Sequence, residues 1–490
     1  MSGAVKIPRA QLEPDSFARP SHVRYGVLGL ACTLSMVTYL DRACVASAAP
    51  AMVRDLHLTA EGDLKWAFAA FGFAYALFEV PSGWLGDVFG PRRVLIRIVL
   101  WWSLFTALTG VVGLTVGGCV MGGLFTLGVV RFLFGIGEAG AYPNITRALH
   151  NWFPYSERGF TQGAVWMAGR LMGGLTPLVW MFLVEGMSGR ASPGQPLTVI
   201  SQPLLHWRAT FWLFAVMGLL WCLVFAAWFR NRPEEKPAVN AAELALIRGG
   251  GAGAPAHAAV PWREILRSRN LWILCLMYAC QSYGWYFYLT YLPSFLANEY
   301  GMKANDVWGA IYKGGPLWAG AVGCLVGGLL TDWFIRRTGN RRLGRRLFGA
   351  LGHGLTAVCF LLCPLTHTAT TFFLVMSLSG FFTDLTMGSS WAVCQDIGRR
   401  YAAIVAGFMN MVGNLGGAVG PLLSGYVLSH ALERHAARLG VSDPRLLSPA
   451  QKAVGLLPGY HANFYIFAGV FVIGTLCWLR IDSTRPVTGE

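Results

Sequence analysis

The chain has 490 residues, of which 54% are hydrophobic and 13% charged, against about 25% charged in a soluble protein, so it lacks the polar side chains needed to clothe a water-facing surface. Its net charge is +15, but the basic residues are scattered between apolar runs rather than gathered on one polar domain. That pattern excludes nucleic acid as a partner and fits positively charged loops on one side of a bilayer. Eleven cysteines with no CxxC pair or Cys/His cluster exclude a disulfide scaffold and a metal site.

Residues 1–22 hold Lys6, Arg9 and Arg19 among prolines. They lack the apolar core of a cleaved signal peptide, so a polar tail is expected. A spanning helix needs about 20 apolar residues. Runs of that kind are expected over 24–47, 64–86, 94–116, 119–145, 160–185 and 208–230. Six more follow over 271–297, 308–334, 346–366, 369–394, 401–429 and 462–481. The longest polar break, 231–268, carries Pro233-Glu-Glu-Lys236-Pro237 and a Gly/Ala stretch. It divides the runs six and six. The expected organisation is a tail (1–22), a first bundle (23–230), a central loop (231–268), a second bundle (269–482) and a tail (483–490). Arginines crowd 336–346, follow the second helix and flank the central loop, which puts those loops and both termini in the cytoplasm. The 430–452 stretch, with Arg434, Arg438, Arg445 and Lys452, is the basic exception on the other side.

The halves repeat. Gly83-Trp-Leu-Gly-Asp87 recurs as Gly328-Leu-Leu-Thr-Asp332, Gly173-Gly-Leu-Thr-Pro177 as Gly417-Ala-Val-Gly-Pro421, and Pro50 as Pro293. These offsets are nearly equal, so they indicate an all-α membrane protein whose twelve helices form two pseudo-symmetric six-helix bundles. A substrate site is then expected between the bundles near mid-membrane.

Charges inside apolar helices cost about 2.5–3.5 kcal/mol each on insertion scales, and persist where they face a cavity or a partner. Arg42, Arg131 and Arg170 fall inside the first, fourth and fifth spans, with Asp41 and Glu138. Arg131 and Glu138, two turns apart, share a helix face, as do Tyr39 and Arg42. Guanidinium forks match carboxylates and stay charged when buried. That assigns Arg42 and Arg131 to an anionic substrate, and leaves Asp41 and Glu138 to carry protons or to fix packing as static ion pairs. Arg170 either reads a second carboxylate or a phosphate, or balances Asp41, Glu138 or Glu79. Tyr39, Gln281, Ser390, Trp391 and Asn410 complete the candidate substrate site. Glu79 and Asp384 are further intramembrane acids without an assigned role.

Gly83-Trp-Leu-Gly-Asp87-Val-Phe-Gly90-Pro-Arg92-Arg93 matches the signature of the major facilitator superfamily, between the second and third helices. Gly135-Ile-Gly-Glu138-Ala-Gly-Ala-Tyr142-Pro-Asn144, Trp152-Phe-Pro154, Glu157-Arg158 and Tyr39-Leu-Asp41-Arg42 resemble the anion:cation symporter family within it. The likeness runs from about residue 24 to 482. It implies the major facilitator fold, a conformational latch formed by Gly83, Asp87, Gly90, Arg92 and Arg93 with the weaker second copy at Asp332, and import of organic anions with protons. Gln281 stands where the vesicular glutamate carriers of that family have arginine, which argues against that subtype. The reading is a proton-coupled importer of a sugar acid or dicarboxylate in a bacterial inner membrane. It is expected to act as a monomer, without cofactor, metal or enzymatic activity. Its alternatives are an exchanger of organic anion against phosphate and a receptor that binds without transport.

Overall fold

The computed structural model describes residues 19–56, 64–116, 119–189, 198–249, 260–301 and 307–489. The tail up to residue 18, the Gly/Ala stretch from 250 to 259 and the side chain of Pro50 lie outside them. Six crossings come from α1 (Val23–Asp55), α2 (Lys65–Phe89), α3 (Pro91–Val111), α4 (Leu124–Glu138) with α5 (Ala141–Trp152), α6 (Arg158–Trp180) and α7 (Trp207–Trp228). The central segment holds α8 (Ala241–Arg248) and α9 (Trp262–Arg267). Six more crossings come from α10 (Arg269–Thr290) with α11 (Leu292–Tyr300), α12 (Val307–Thr338), α13 (Arg341–Leu362), α14 (Ala369–Leu385) with α15 (Met387–Gly398), α16 (Ala402–Arg438) and α17 (Pro449–Arg480).

By length and apolar composition alone, nine stretches of the described residues qualify as membrane spans. One of them, 369–438, contains two crossings. α2 and α10 fall short because Glu79, Pro81 and Ser82, and Gln281 and Ser282, dilute them with polar side chains. Lipid-facing positions are apolar: Leu219, Leu220, Leu223 and Val224 of α7 are all exposed. Inside, α6 lies along α12 and α2 along α16, joining the halves, while α1 packs on α6 and α10 on α16.

Three crossings are broken. The helix expected over 119–145 starts late, because Thr115–Val116 and Cys119–Val120 pair as a hairpin. It then stops at Glu138, and α5 carries the crossing on to Trp152. Gly140 makes the break at φ 85°, and a Cβ there would lie 2.3 Å from that of Ser82, so only glycine admits α2 so closely. The run 369–394 divides at Thr386, and 271–297 divides at Tyr291, just ahead of Pro293. The last helix begins at Pro449 rather than 462, because Ser448 and Gln451 form a capping box. With α16 running to Arg438, the expected 430–452 loop shrinks to 439–448, and Arg434 and Arg438 belong to the helix.

Both ends of the described chain lie on one face. The Ser21 hydroxyl donates to Glu243 at 2.6 Å, and Asn270 Nδ2 donates to the Asp482 carbonyl at 2.7 Å. Both bonds tie an end of the chain to the central segment or its flank. This side is the termini face.

Candidate functional site

Three arginines and four acids sit inside the crossings, on α1, α2, α4, α6 and α14. α1 presents Asp41 and Arg42 on different faces. Arg42 Nε donates to Glu138 Oε1 at 2.8 Å, and its guanidinium lies 4.3 Å from the centre of the Tyr75 ring. Its Nη2 has no hydrogen-bond partner, nor has Glu138 Oε2. Glu138 is sealed, while the Arg42 side chain is 26% exposed. Arg42 therefore keeps a buried, unbonded Nη2 beside its bonded Nε, while the rest of its side chain is partly exposed.

Asp41 points the other way, beside Thr106, Arg131 and Glu138, and neither of its oxygens is hydrogen-bonded. Arg131 is buried at 2% exposure. Its guanidinium lies against Phe134 (4.3 Å) and Phe71 (4.9 Å). It makes no ion pair or hydrogen bond among the described residues. Sequence spacing places it correctly on the Glu138 face, but it has no open edge.

Arg170 does not balance Asp41, Glu138 or Glu79. It reaches across the boundary between the halves to Asp384, with Nε on Oδ2 at 2.9 Å and Nη2 on Oδ1 at 3.3 Å. Its Nη1 donates to the Tyr39 hydroxyl, and its guanidinium lies 3.6 Å from the centre of the Trp285 ring. Glu79 crosses the boundary in the other direction. Its Oε1 accepts from Asn410 at 2.5 Å and from Asn414 at 3.1 Å. Tyr39, Arg42, Arg170 and Asn410 are thus drawn into the region between the halves, with Glu79 and Asp384 added.

The other candidates lie deeper. Gln281 spends its amide on Thr383 and Thr386 at the break in the crossing formed by α14 and α15. Ser390 donates to the Thr386 carbonyl at 2.8 Å. Trp391 is fully buried, with its indole N–H on Tyr278. Its ring meets Trp166, which stacks on Tyr142 at 4.3 Å. These rings form an aromatic floor between the charged groups and the termini face.

Below that floor the two halves are bolted together. Asp87 accepts from the Ala403 and Ile404 N–H groups at 3.2 and 2.8 Å, with Arg147 at 3.5 Å. Asp332 accepts from the Gly159 and Phe160 N–H groups at 3.1 and 2.6 Å, and from Arg345 at 3.1 Å. Gly83 lets α2 meet α16, since a Cβ there would come within 2.4 Å of the Ala403 carbonyl. Gly90 ends α2 at φ 85°. Arg92 ties the turn to Ala226 and Asn231, and Arg93 is exposed. Arg158 on Asp396 (2.8 Å) and Gln395 on the Thr146 carbonyl (2.9 Å) add further cross-links.

The Major Facilitator Superfamily sequence model matches residues 31–421. The chain belongs to the major facilitator superfamily. It is 34% identical over 445 residues to a probable sulfoacetate transporter of Cupriavidus necator, covering 90% of this chain and 94% of that one. It is 28% identical over 500 residues to a probable galactarate/D-glucarate transporter of Escherichia coli, covering 97% and 98%. Both relatives are superfamily members of the anion:cation symporter type. Among solved structures, the Escherichia coli fucose:proton symporter superposes with a TM-score of 0.60 at 14% identity, covering 92% of this chain and 99% of that one. The two bundles are therefore those of a major facilitator transporter, a multi-pass membrane protein and not an enzyme.

Sequence reasoning missed that Asp384 is the partner of Arg170. A signal was present: Asp384 follows Glu138 by 246 positions (138 to 384), close to the spacing of the repeated motifs. The two acids are counterparts, each just before the break in a divided crossing.

Proposed function

We propose that the chain is a proton-coupled symporter of a small organic anion, a sugar acid or a short dicarboxylate-like acid, working by alternating access. The observation that carries this reading is Arg42, bonded to buried Glu138 through Nε, unbonded at Nη2 and partly exposed as a side chain. A carboxylate arriving at the partly exposed Arg42 side chain competes with Glu138 for one guanidinium. A buried carboxyl that loses its cation is costly to keep charged, so Glu138 takes a proton as the substrate takes Arg42. Release runs in reverse: the anion leaves, Glu138 gives up its proton and reclaims Arg42. One proton thus travels with each exchange of partners. Asp41, unbonded beside unbonded Arg131, is a second proton-carrying group in this scheme.

The bolts at Asp87 and Asp332, with Gly83, Gly90, Arg92 and Arg93 shaping the turn, support a form closed at the termini face and accessible from the other. The basic loops support assigning the termini face to the cytoplasm of a bacterial inner membrane. The relatives support the substrate class, since one is named for sulfoacetate and the other for galactarate and glucarate.

The test is uptake of radiolabelled glucarate and sulfoacetate into proteoliposomes under an imposed pH gradient. Accumulation above the external concentration, abolished by a protonophore, is expected. Uptake that needs a preloaded anion and ignores the gradient would replace symport by exchange.

A further inference from the structure

Arg170 is bound differently from Arg42. Nε, Nη1 and Nη2 are all engaged, two of them by Asp384 of the opposite half and the third by Tyr39, and one face is covered by Trp285. Asp384 itself is fully buried. The charged or titratable groups facing it are Arg170 of α6, Tyr39 of α1 and Cys324 of α12. Among the described residues Arg170 is the cation that ion-pairs with it, and the hold is two-pronged.

Glu138 and Asp384 are counterparts in the repeat, and each holds an arginine at the break of a divided crossing. Arg42 and Arg170 border shared ground, since Tyr39 lies within electrostatic reach of both, as does Tyr286 between them. One arginine is partly exposed with one nitrogen unbonded, and the other is buried with its edge filled by a carboxylate from the chain itself.

We infer that Asp384 is an internal stand-in for a second anionic group of the substrate, so that this carrier selects dianions, one end on Arg42 and the other on Arg170. This rests on the transport reading above and deepens it. The arriving group accepts the Nε and Nη2 hydrogens that Asp384 accepted. Asp384, left without a cation beside Cys324, takes a proton from water. No other bond forms or breaks. Because Arg170 and Asp384 belong to different halves, the same exchange replaces a direct tie between the halves by one that runs through the substrate. A monoanion can satisfy Arg42 but cannot displace Asp384.

The experiment uses substrate pairs that differ in one terminal group: glucarate against gluconate, and sulfoacetate against glycolate. Binding to the purified full chain in detergent is read by isothermal titration, and uptake by proteoliposome assay. Wild type is expected to prefer the dianion of each pair. Arg170→Gln is expected to lose roughly tenfold to hundredfold in dianion affinity, while the weaker monoanion affinity stays. Arg170→Lys, which keeps the charge but not the fork, should fall between them. Asp384→Asn removes the competitor, so its dianion affinity should equal or exceed wild type and depend less on pH.

Equal losses for both members of a pair in Arg170→Gln would overturn the inference and leave the ion pair as a tie between halves. So would loss of dianion binding in Asp384→Asn, or a wild type that binds gluconate as tightly as glucarate. A wild type that binds none of the four anions would instead remove the organic-anion reading itself, and the inference with it. Circular dichroism and gel filtration of each variant separate loss of binding from loss of fold.

Discussion

One aromatic ring, Phe71, carries two guanidiniums, Arg42 at 5.6 Å and Arg131 at 4.9 Å. The quadrupole of the ring face and the Glu138 carboxylate offset the repulsion between them. Their situations differ in exposure: the Arg42 side chain is partly open, and Arg131 is walled in. Arg42→Ala is therefore expected to weaken anion binding by roughly tenfold to hundredfold, the loss of charge-assisted hydrogen bonds, and to lower the melting temperature because buried Glu138 loses its partner. Titration calorimetry checks it, and unchanged affinity would move the substrate elsewhere. Glu138→Gln is nearly isosteric with the protonated acid, so substrate binding should survive while the exchange of partners at Arg42 stops. Counterflow of labelled against unlabelled anion should persist, and gradient-driven accumulation should vanish. A purely static Glu138 predicts the reverse: a lower melting temperature with accumulation retained. Much of this cluster was legible in the sequence, because a charge within an apolar run declares itself by its cost. The pairing was not. Arg170 had three plausible acids in its own half, and only the packing of α6 against the other bundle shows that it uses a fourth.

Helices α6 and α16 begin without a hydrogen-bonding cap of their own. Glu157 and Tyr401 stand at the N-cap positions and make no side-chain cap bond. The first N–H groups are served instead by Asp332 and Asp87 from the opposite half, each also favoured by the positive end of the helix it meets. Caps of this kind are worth about 1 kcal/mol, more where partly buried. Asp87→Asn keeps one acceptor oxygen and loses the charge, so it should shift the population away from the form closed at the termini face. Spin-label distances across both faces check this: the termini-face pair should lengthen and the opposite pair shorten, and unchanged distributions would remove Asp87 from the latch. The signature around Asp87 was readable as a motif, but its acceptor role was not, because the donors lie more than 300 positions away. Helix ends were the least readable elements. The break at Gly140 depends on how closely α2 approaches, and the early start of α17 depends on a local capping box.

α6 and α12 run in backbone contact across the boundary. A Cβ on Gly163 would lie 2.3 Å from the Cys324 carbonyl, and one on Gly328 would lie 2.3 Å from that of Gly159. Neither neighbour is a side chain that can swing away. Gly328→Leu should therefore wedge the halves apart near the termini face while leaving each bundle intact. Its expected signature is raised labelling of a cysteine placed on that face by a water-soluble maleimide, with normal membrane insertion. Unaltered labelling would show that the halves can close over the added side chain. The duplication of the bundles was legible from repeated motifs at nearly one spacing. Which helices of one half touch which of the other was not, since that contact set arises from tertiary packing that no local spacing encodes.

The reciprocal aspartates also govern how the two halves assemble. Each half supplies one carboxylate and receives one, so the joint between them obeys the logic of an isologous dimer: patch i meets patch j, and the copy of j meets the copy of i. A joint of that kind specifies its own pairing and does not need a covalent link to do so. The chain already divides its loyalties around residues 250–259. Before them, Asn240 and Glu243 of the α8 region are hydrogen-bonded to Ser21 and Arg24 of the first bundle, and after them Glu264 of α9 accepts from the Gly489 N–H at the end of the second. Two polypeptides, 1–249 and 260–490, produced in the same cell should therefore find each other in the membrane and reconstitute substrate uptake. Either fragment alone should carry none.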